Sequence, residues 1–241
     1  MSAALPANAP STAARTGAGM LDVRWLGRTP YREAWAFQKR LVDERVAEGI
    51  GDTLLLVEHP PVLTLGRQAD ETHVLASAAE LEDRGIELIR VERGGEVTYH
   101  GPGQLVAYPI VALTRRGLLL RPFVRALEGA LADTCRALGV EADRRDGHPG
   151  CWVDPGGALP RKIGALGLRV ERGVSYHGVA LNIDPDLGAF ELIDPCGMPG
   201  VVSTSIAREL GWAAEPPTTE RVAAAAILFS GALTERLARA G

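Results

Sequence analysis

The sequence predicts an α/β protein in which a mixed, largely antiparallel sheet carries packed helices. Short, β-rich apolar runs come in groups between four or five helical stretches, and the groups do not follow strict strand–helix–strand alternation. The chain of 241 residues, 46% hydrophobic and 23% charged, is also long enough to bury a sizeable core.

The elements follow in order. Asp22 to Leu26 alternates weakly and reads as a short strand. Thr29-Pro30 offers an N-cap followed by proline at the first helical position. The helix it opens runs to about Glu48, with Ala34, Trp35, Phe37, Leu41, Val42 and Val46 at helical spacing. Thr53 to Val57 is a buried strand, and Val62 to Leu65 resumes the extended pattern after His59-Pro60-Pro61. Ser77 caps a short helix that ends at Gly85, followed by a strand from Ile86 to Val91. Gly94-Gly95 and Gly101-Pro102-Gly103 bracket Glu96 to His100, and Gln104 to Val111 is another buried strand. Arg121-Pro122 opens a helix through Leu138, with Phe123, Leu127, Leu131, Thr134, Cys135 and Leu138 on one face. Val140 to Arg144 and Cys151 to Val153 are strand candidates around a Gly/Pro-rich loop. Lys162 to Val170 and Val174 to Ile183 form a hairpin joined at Glu171-Arg172-Gly173. Ser203 to Leu210 and Thr219 to Arg239 close the chain as helices.

Residues 1–20, rich in Ala, Pro, Ser and Thr, read as a disordered extension without the charged-then-apolar order of a secretory signal. Residues 21–241 read as one domain, with a small C-terminal lobe from about residue 191 left open. The net charge of −4 is spread along the chain with no basic run, which argues against nucleic acid as a partner. No apolar run approaches the ~18 residues of a membrane span. Three cysteines do not make a disulfide framework, and reduced thiols in a cytoplasmic protein are the simplest expectation.

Four segments are dense in glycine, proline and reactive side chains: Arg93 to Gln104, Arg161 to Gly167, Tyr176 to Asn182, and the surroundings of Cys196. Glycine clusters let backbone approach a ligand closely, although each could be a tight turn alone. The spacings G-x-x-x-x-G-K-[ST] and G-x-G-x-x-G are absent, so no nucleotide site is indicated. Cys135 and Cys151 sit in apolar stripes and read as core. Cys196 lies among Pro195, Gly197, Pro199 and Gly200, a loop setting that leaves a reactive and a structural role evenly open. No C-x-x-C occurs and the five histidines show no ligand spacing, so no metal is expected. A Cys–His pair with His100 or His177 stays open beside a structural role for both histidines. Lys39 and Lys162 are the two lysines in a chain of 24 arginines. An ammonium can release its proton when desolvated and a guanidinium cannot, so Lys162 is the better candidate for proton chemistry.

These four segments, in this order and spacing, resemble the octanoyltransferase family of protein lipoylation. Glu58-His59-Pro60-Pro61-Val62 with Thr64-Leu65-Gly66 is similar to an earlier signature of that family, and the likeness spans roughly Leu54 to Ser205. The resemblance implies the biotin and lipoate protein ligase catalytic fold for residues 21–241. It also implies octanoyl transfer from acyl carrier protein to a lysine on lipoyl domains of 2-oxoacid dehydrogenase complexes and on the glycine-cleavage H protein. No separate cofactor is implied, since the octanoyl-phosphopantetheine arrives on the donor protein. Cys196 matches the acyl-thioester nucleophile and Lys162 the residue that lowers its pKa. Arg93, Gly94, Gly95, Glu96, Val97, Thr98, Tyr99 and His100 match one substrate-lining segment. Ala165, Leu166 and Gly167 match a second, and Gly178, Val179 and Ala180 a third. Gly164, where many members carry Ala, departs from the pattern and should affect packing more than chemistry. Val97, Leu105, Leu166 and Leu168 are the expected apolar lining of an acyl tunnel.

Overall fold

The computed structural model describes residues 21–194, 201–212 and 216–240, so the N-terminal extension and Cys196 lie outside the described residues. The elements are β1 (Asp22–Arg28), α1 (Tyr31–Val46), β2 (Thr53–Glu58), β3 (Val62–Leu65), α2 (Ala78–Asp83), β4 (Glu87–Arg90), β5 (Val97–His100) and β6 (Gln104–Ile110). There follow α3 (Leu120–Ala137), β7 (Asp143–Arg145), β8 (His148–Val153), β9 (Arg161–Glu171), β10 (Val174–Asn182), β11 (Val202–Ser203), α4 (Ile206–Leu210) and α5 (Thr219–Ala240).

The large sheet has the order β1-β2-β6-β10-β9-β8-β7, with β11 added to β9 beyond this path. The β1–β2 and β9–β11 pairs are parallel and the other pairs of this sheet antiparallel. A smaller sheet, β4-β3-β5, stands apart from it. The mixed, largely antiparallel architecture expected from the sequence is the one observed.

Period-two alternation sorts the central strands onto two faces. Leu54, Leu56, Leu105, Ala107, Val179 and Leu181 face one core, where α3 and α5 contribute Phe123, Leu127, Leu131, Phe229 and Leu233. Leu55, Val57, Val106, Tyr108, Tyr176 and Ala180 face the other, covered by Ala34, Leu41 and Val42 of α1. Burial on both faces explains why β2 and β6 read as continuous apolar runs rather than alternating ones. From Val202 onward the described elements join these same layers: β11 pairs with β9, and Ile206, Val222 and Phe229 share the α3 core.

Several local expectations hold. Ser77 caps α2 by accepting the Glu80 N–H at 3.2 Å. The β9–β10 hairpin closes with Glu171 opposite Val174, and Arg172 (φ 50°) and Gly173 (φ 80°) supply the left-handed pair that such a two-residue turn requires. Others shift. Thr29 does not cap α1; its hydroxyl donates to Leu26 O at 2.9 Å, and Pro30 occupies the cap position. Ser203 belongs to β11, and α4 is capped by Ser205, which accepts the Arg208 N–H. Val140 and Ala142 are buried in the core but precede β7, whose pairing starts where Asp143 meets Trp152.

Asp52, at the entry to β2, joins several of these parts. Its carboxylate accepts the Ala112 N–H at 2.9 Å and Arg45 Nε at 2.7 Å, and it also pairs with Arg116. Its backbone carbonyl accepts the Asp22 N–H at 2.8 Å. Burial alone would raise its pKa, but the Ala112 N–H and the two guanidinium groups outweigh burial and lower it. A carboxylate held below its ordinary value stabilises the fold above that value and loses the contribution as pH falls through the folded one. Asp52→Ala leaves buried guanidinium and amide donors without their acceptor and should cost about 3 kcal/mol in urea unfolding. The deficit relative to wild type should narrow as pH falls below the ordinary Asp value of about 4 and on through the lower folded one.

Candidate active site

Between the large sheet and the 93–98 loop lies a narrow slot. Its floor is made by small residues on adjacent strands: Ala165 opposite Ala180, and Gly167 opposite Gly178. Leu166, Val179, Val106 and Tyr108 complete the sheet side. Cross-strand partners share a face, so two rungs of Gly and Ala remove side-chain bulk where a β-sheet would normally carry it. The empty space of the slot, its open mouth included, is about 490 Å³. That shape suits one extended aliphatic chain.

The roof comes from the loop between β4 and β5. Gly94 donates its N–H to Leu168 O at 2.9 Å, which fastens the loop to β9. A Cβ on Gly167 would lie 2.8 Å from Gly94 O, so glycine is required there for the approach. Gly95, at φ 86°, turns the loop back towards β5. Arg93 is buried, and its guanidinium donates to Thr64 Oγ1 at 2.9 Å and to Gly94 O at 3.0 Å, locking the loop against β3. Glu96 accepts the Asp70 N–H at 3.1 Å and sits 3.1 Å from His73 Nδ1, holding the Glu71–His73 turn.

Of the expected 93–100 lining, Arg93, Gly95, Glu96, Val97, Thr98 and His100 face the slot. Gly94 acts instead through its backbone on β9. Tyr99 points to the far side of β5, where it packs edge-on against Phe190 at 5.5 Å between ring centroids. Ala165, Leu166, Gly167, Gly178, Val179 and Ala180 all line the slot as expected. Leu105 does not, because it alternates onto the α3 face. Leu168 lies outside the lining too; its carbonyl receives the loop.

His100 and His177 line the slot, and His59 lies beside His100 with ring centroids 5.9 Å apart. His59 donates from Nδ1 to Thr29 O at 2.7 Å, which leaves Nε2 to accept the Tyr108 hydroxyl at 2.8 Å. His100 donates from Nδ1 to Gln104 Oε1 at 2.7 Å. Burial pulls the pKa of His59 down to about 4 and those of His100 and His177 to about 3. The three rings are therefore uncharged near neutrality. Tyr31, from the first turn of α1, stacks on His100 with ring centroids 6.0 Å apart.

A second narrow cavity shares Thr98 and Ala165 with the slot and is also lined by Lys162, Gln104, Asn182, Phe190 and Ser203. Lys162 is buried, with Nζ 5.3 Å from the centroid of the Trp152 ring, within cation–π range. A bulge places it: Cys151 pairs with Gly164 and Trp152 with Lys162, so Ile163 is the extra residue of β9. A hydrogen-bonded chain runs from the slot to this lysine. Gln104 donates to Asn182 Oδ1 at 2.9 Å, Asn182 donates to Thr204 O at 2.9 Å, and Thr204 N–H donates to Lys162 O at 2.9 Å.

Cys196 lies outside the described residues, but both flanks of its segment are tied down. Asp194 N–H donates to His73 O at 2.8 Å, and Ile193 bridges Val74. Beyond it, Val202 pairs with Arg161 and Ser203 with Lys162. Cys135 and Cys151 are buried, as expected for core thiols, and their mutual hydrogen bond and burial push the Cys151 pKa far up. A Cβ on Gly164 would lie 3.1 Å from Cys151 Cβ and 3.2 Å from both Ala180 O and Leu131 Cδ1, so this departure is one of packing. Sequence reasoning missed Tyr31, Val106 and Tyr108, which look like ordinary core residues until the fold is known. It also missed Gln38, a polar residue buried on the apolar stripe of α1.

The catalytic-domain family described as lipoyl protein ligase A/B matches residues 30–228. An octanoyltransferase of Chloroflexus aggregans is 48% identical over 201 residues, covering 83% of this chain and 89% of that protein. A lipoate-protein ligase A solved with ATP superposes with a TM-score of 0.63 at 18% identity, over 91% of this chain and 93% of that one. A biotin protein ligase of Aquifex aeolicus gives 0.51 at 10% identity, over 90% and 70% of the two chains. The two solved structures share the fold, while the sequence relative carries the narrower kinship. The chain belongs to the octanoyltransferase family, built on the lipoyl protein ligase A/B catalytic domain, and is an acyltransferase.

Proposed function

We propose that this enzyme takes an octanoyl group from octanoyl-acyl carrier protein and delivers it to a specific lysine of lipoyl-domain proteins through a thioester on Cys196. The observation that carries the reading is the tethering of the Cys196 segment. The chain leaves at Asp194, held by the Glu71–His73 turn, and returns at Val202–Ser203 hydrogen-bonded beside Lys162. Seven residues, 195–201, join these two tethered points, one of them beside Lys162. Cys135 and Cys151 are sealed in the core and do not compete for the role.

In the first step the Cys196 thiolate attacks the octanoyl carbonyl, the carbonyl–sulfur bond to the carrier's pantetheine breaks, and the leaving thiolate takes a proton from Lys162. In the second step the neutral amine of the acceptor lysine attacks the acyl-enzyme. Lys162 receives the amine proton, an amide forms and Cys196 is released. An ammonium beside the thiol favours the thiolate by opposite charge. Backbone N–H groups of the glycine-rich loops would stabilise the oxyanion. His100 and His177, with pKa values near 3, are poor bases at neutral pH, which favours Lys162 over a Cys–His pair. Burying about six methylenes at ~0.8 kcal/mol each would supply roughly 5 kcal/mol of substrate affinity.

Incubation with octanoyl-acyl carrier protein should add a labile octanoyl mass to Cys196, seen by peptide mass spectrometry and absent in Cys196→Ala. An adduct on Cys135 or Cys151, or turnover that requires ATP and free octanoate, would overturn the reading. Lys162→Arg keeps the charge but cannot shuttle a proton, and transfer to a lipoyl domain should fall by at least a hundredfold. Turnover close to wild type in that variant would remove Lys162 from the mechanism.

The histidines carry a stability prediction. A group whose folded pKa lies below its unfolded value of ~6.5 leaves the fold fully stable above that pH and weakens it as pH falls towards the folded value. Urea midpoints should therefore decline from about pH 6.5 downwards, before the carboxylates titrate. His59→Gln should make that decline shallower, and an unchanged slope would show that His59 is not held neutral.

A further inference from the structure

Trp152 is fully buried in β8, and the strands on either side of it each bring a cation to its ring. Lys162 Nζ of β9 lies 5.3 Å from the ring centroid, and the guanidinium carbon of Arg145 on β7 lies 5.2 Å from it. The indole N–H donates to His148 O at 3.0 Å. The His148 imidazole meets the ring in a T-shaped arrangement at 6.0 Å between centroids. These contacts pin the ring next to the strand that carries the lysine.

A lysine carries its charge on a long flexible stem, so some contact must fix the ammonium before it can act at a defined atom. Strand register supplies one. Trp152 and Lys162 are directly paired across β8 and β9 and share a face of the sheet. The stem also passes close to Gly150, where a Cβ would lie 3.1 Å from Lys162 Cε. Besides Arg145 and His148, Glu128 of α3 approaches this corner, accepting the Gly150 N–H at 3.0 Å.

The face of an aromatic ring attracts an ammonium and has no such attraction for a neutral amine. In the second step of the reaction Lys162 passes from amine to ammonium, taking the proton of the attacking acceptor amine as the amide forms and the Cys196 sulfur leaves. The ring therefore favours the state that this proton transfer creates.

We propose that Trp152 is a positioning residue for acyl transfer, holding Lys162 in place and stabilising it as it takes up the acceptor's proton. The assignment rests on the acyl-transfer reading above and adds a residue that acts through Lys162 rather than on the substrate.

The test places mono-, di- and tetrafluorinated tryptophan at position 152 of the full chain. Fluorine withdraws negative charge from the ring face with little change in shape, so packing is kept while the cation contact weakens. Octanoyl-enzyme is formed first and then mixed with a lipoyl domain, so that the second step alone is timed. Its rate should fall with each fluorine added, to about a tenth of wild type with tetrafluorotryptophan, while octanoate affinity stays unchanged. The same series at Trp35, which lies under Lys39 at 4.1 Å, should leave the rate unchanged. A flat rate across the series at position 152, or an equal fall at Trp35, overturns the inference.

A second measurement reads the contact without the reaction. The chain has two lysines, so Lys39→Arg assigns the Lys162 signal in protein labelled at lysine Cε. Its Hε protons should show nuclear Overhauser contacts to the indole of Trp152, and their absence also overturns the inference. If the contacts are present but no octanoyl-enzyme forms, the transfer reading fails and the placement of Lys162 by Trp152 stands.

Discussion

The close approach of the 93–98 loop to β9 is the constraint on which the site depends. One backbone hydrogen bond, Gly94 N–H to Leu168 O at 2.9 Å, brings a loop directly over a sheet. That contact excludes a Cβ at Gly167, and the two Gly/Ala rungs beneath the loop become the floor of a narrow slot. Arg93 holds the loop from the other side through Thr64 of β3. The small sheet therefore acts as a mount for the roof of the slot, with its own core of Leu63, Leu65, Val97 and Tyr99.

A polar framework runs through the apolar core beside the slot. His59 and His100 have hydrogen-bond partners that fix their tautomers, and burial keeps them uncharged. From His100 the chain Gln104–Asn182–Thr204 passes to the backbone of Lys162, so the ring that faces the slot and the strand that presents the lysine are mechanically linked. Glu58 supports the same region: it accepts the Gly103 N–H at 2.6 Å and the Thr219 hydroxyl at 2.7 Å and pairs with Arg28. Buried networks of this kind are costly when incomplete and rigid when satisfied. Among the described residues, buried side-chain nitrogens of Gln38, Arg169 and His177 have no hydrogen-bond partner.

The lipoate and biotin ligases with this fold share 18% and 10% identity with the chain, so very different sequences support the same layers. In this chain the sheet carries the slot on one face, while α3 and α5 seal the other. Specific chemistry then depends on a few positions along β9, β10 and the segments that join their ends.

Most strands and helices were legible in the sequence, because hydrophobic periodicity and turn residues are local signals, but β5 reads only as a bracketed segment and Ser203 of β11 as part of a helix. The hairpin at Arg172-Gly173 and the cap at Ser77 were legible for that reason. The sequence also marked the glycine-rich segments and singled out Lys162 among 24 arginines. Helix starts were read less well, as at Thr29, since capping by serine or threonine depends on where the preceding chain arrives. Tertiary structure alone decided which residues meet. Strand order brought β6, β10 and β9 side by side, put Val106 and Tyr108 on the slot face, and turned Leu105 away. The pairing of Ser203 with Lys162, and of His177 N–H with Gln38 across 139 positions of sequence, has no local signature. Such contacts come from the order and twist of packed layers, and no window along the chain contains both partners.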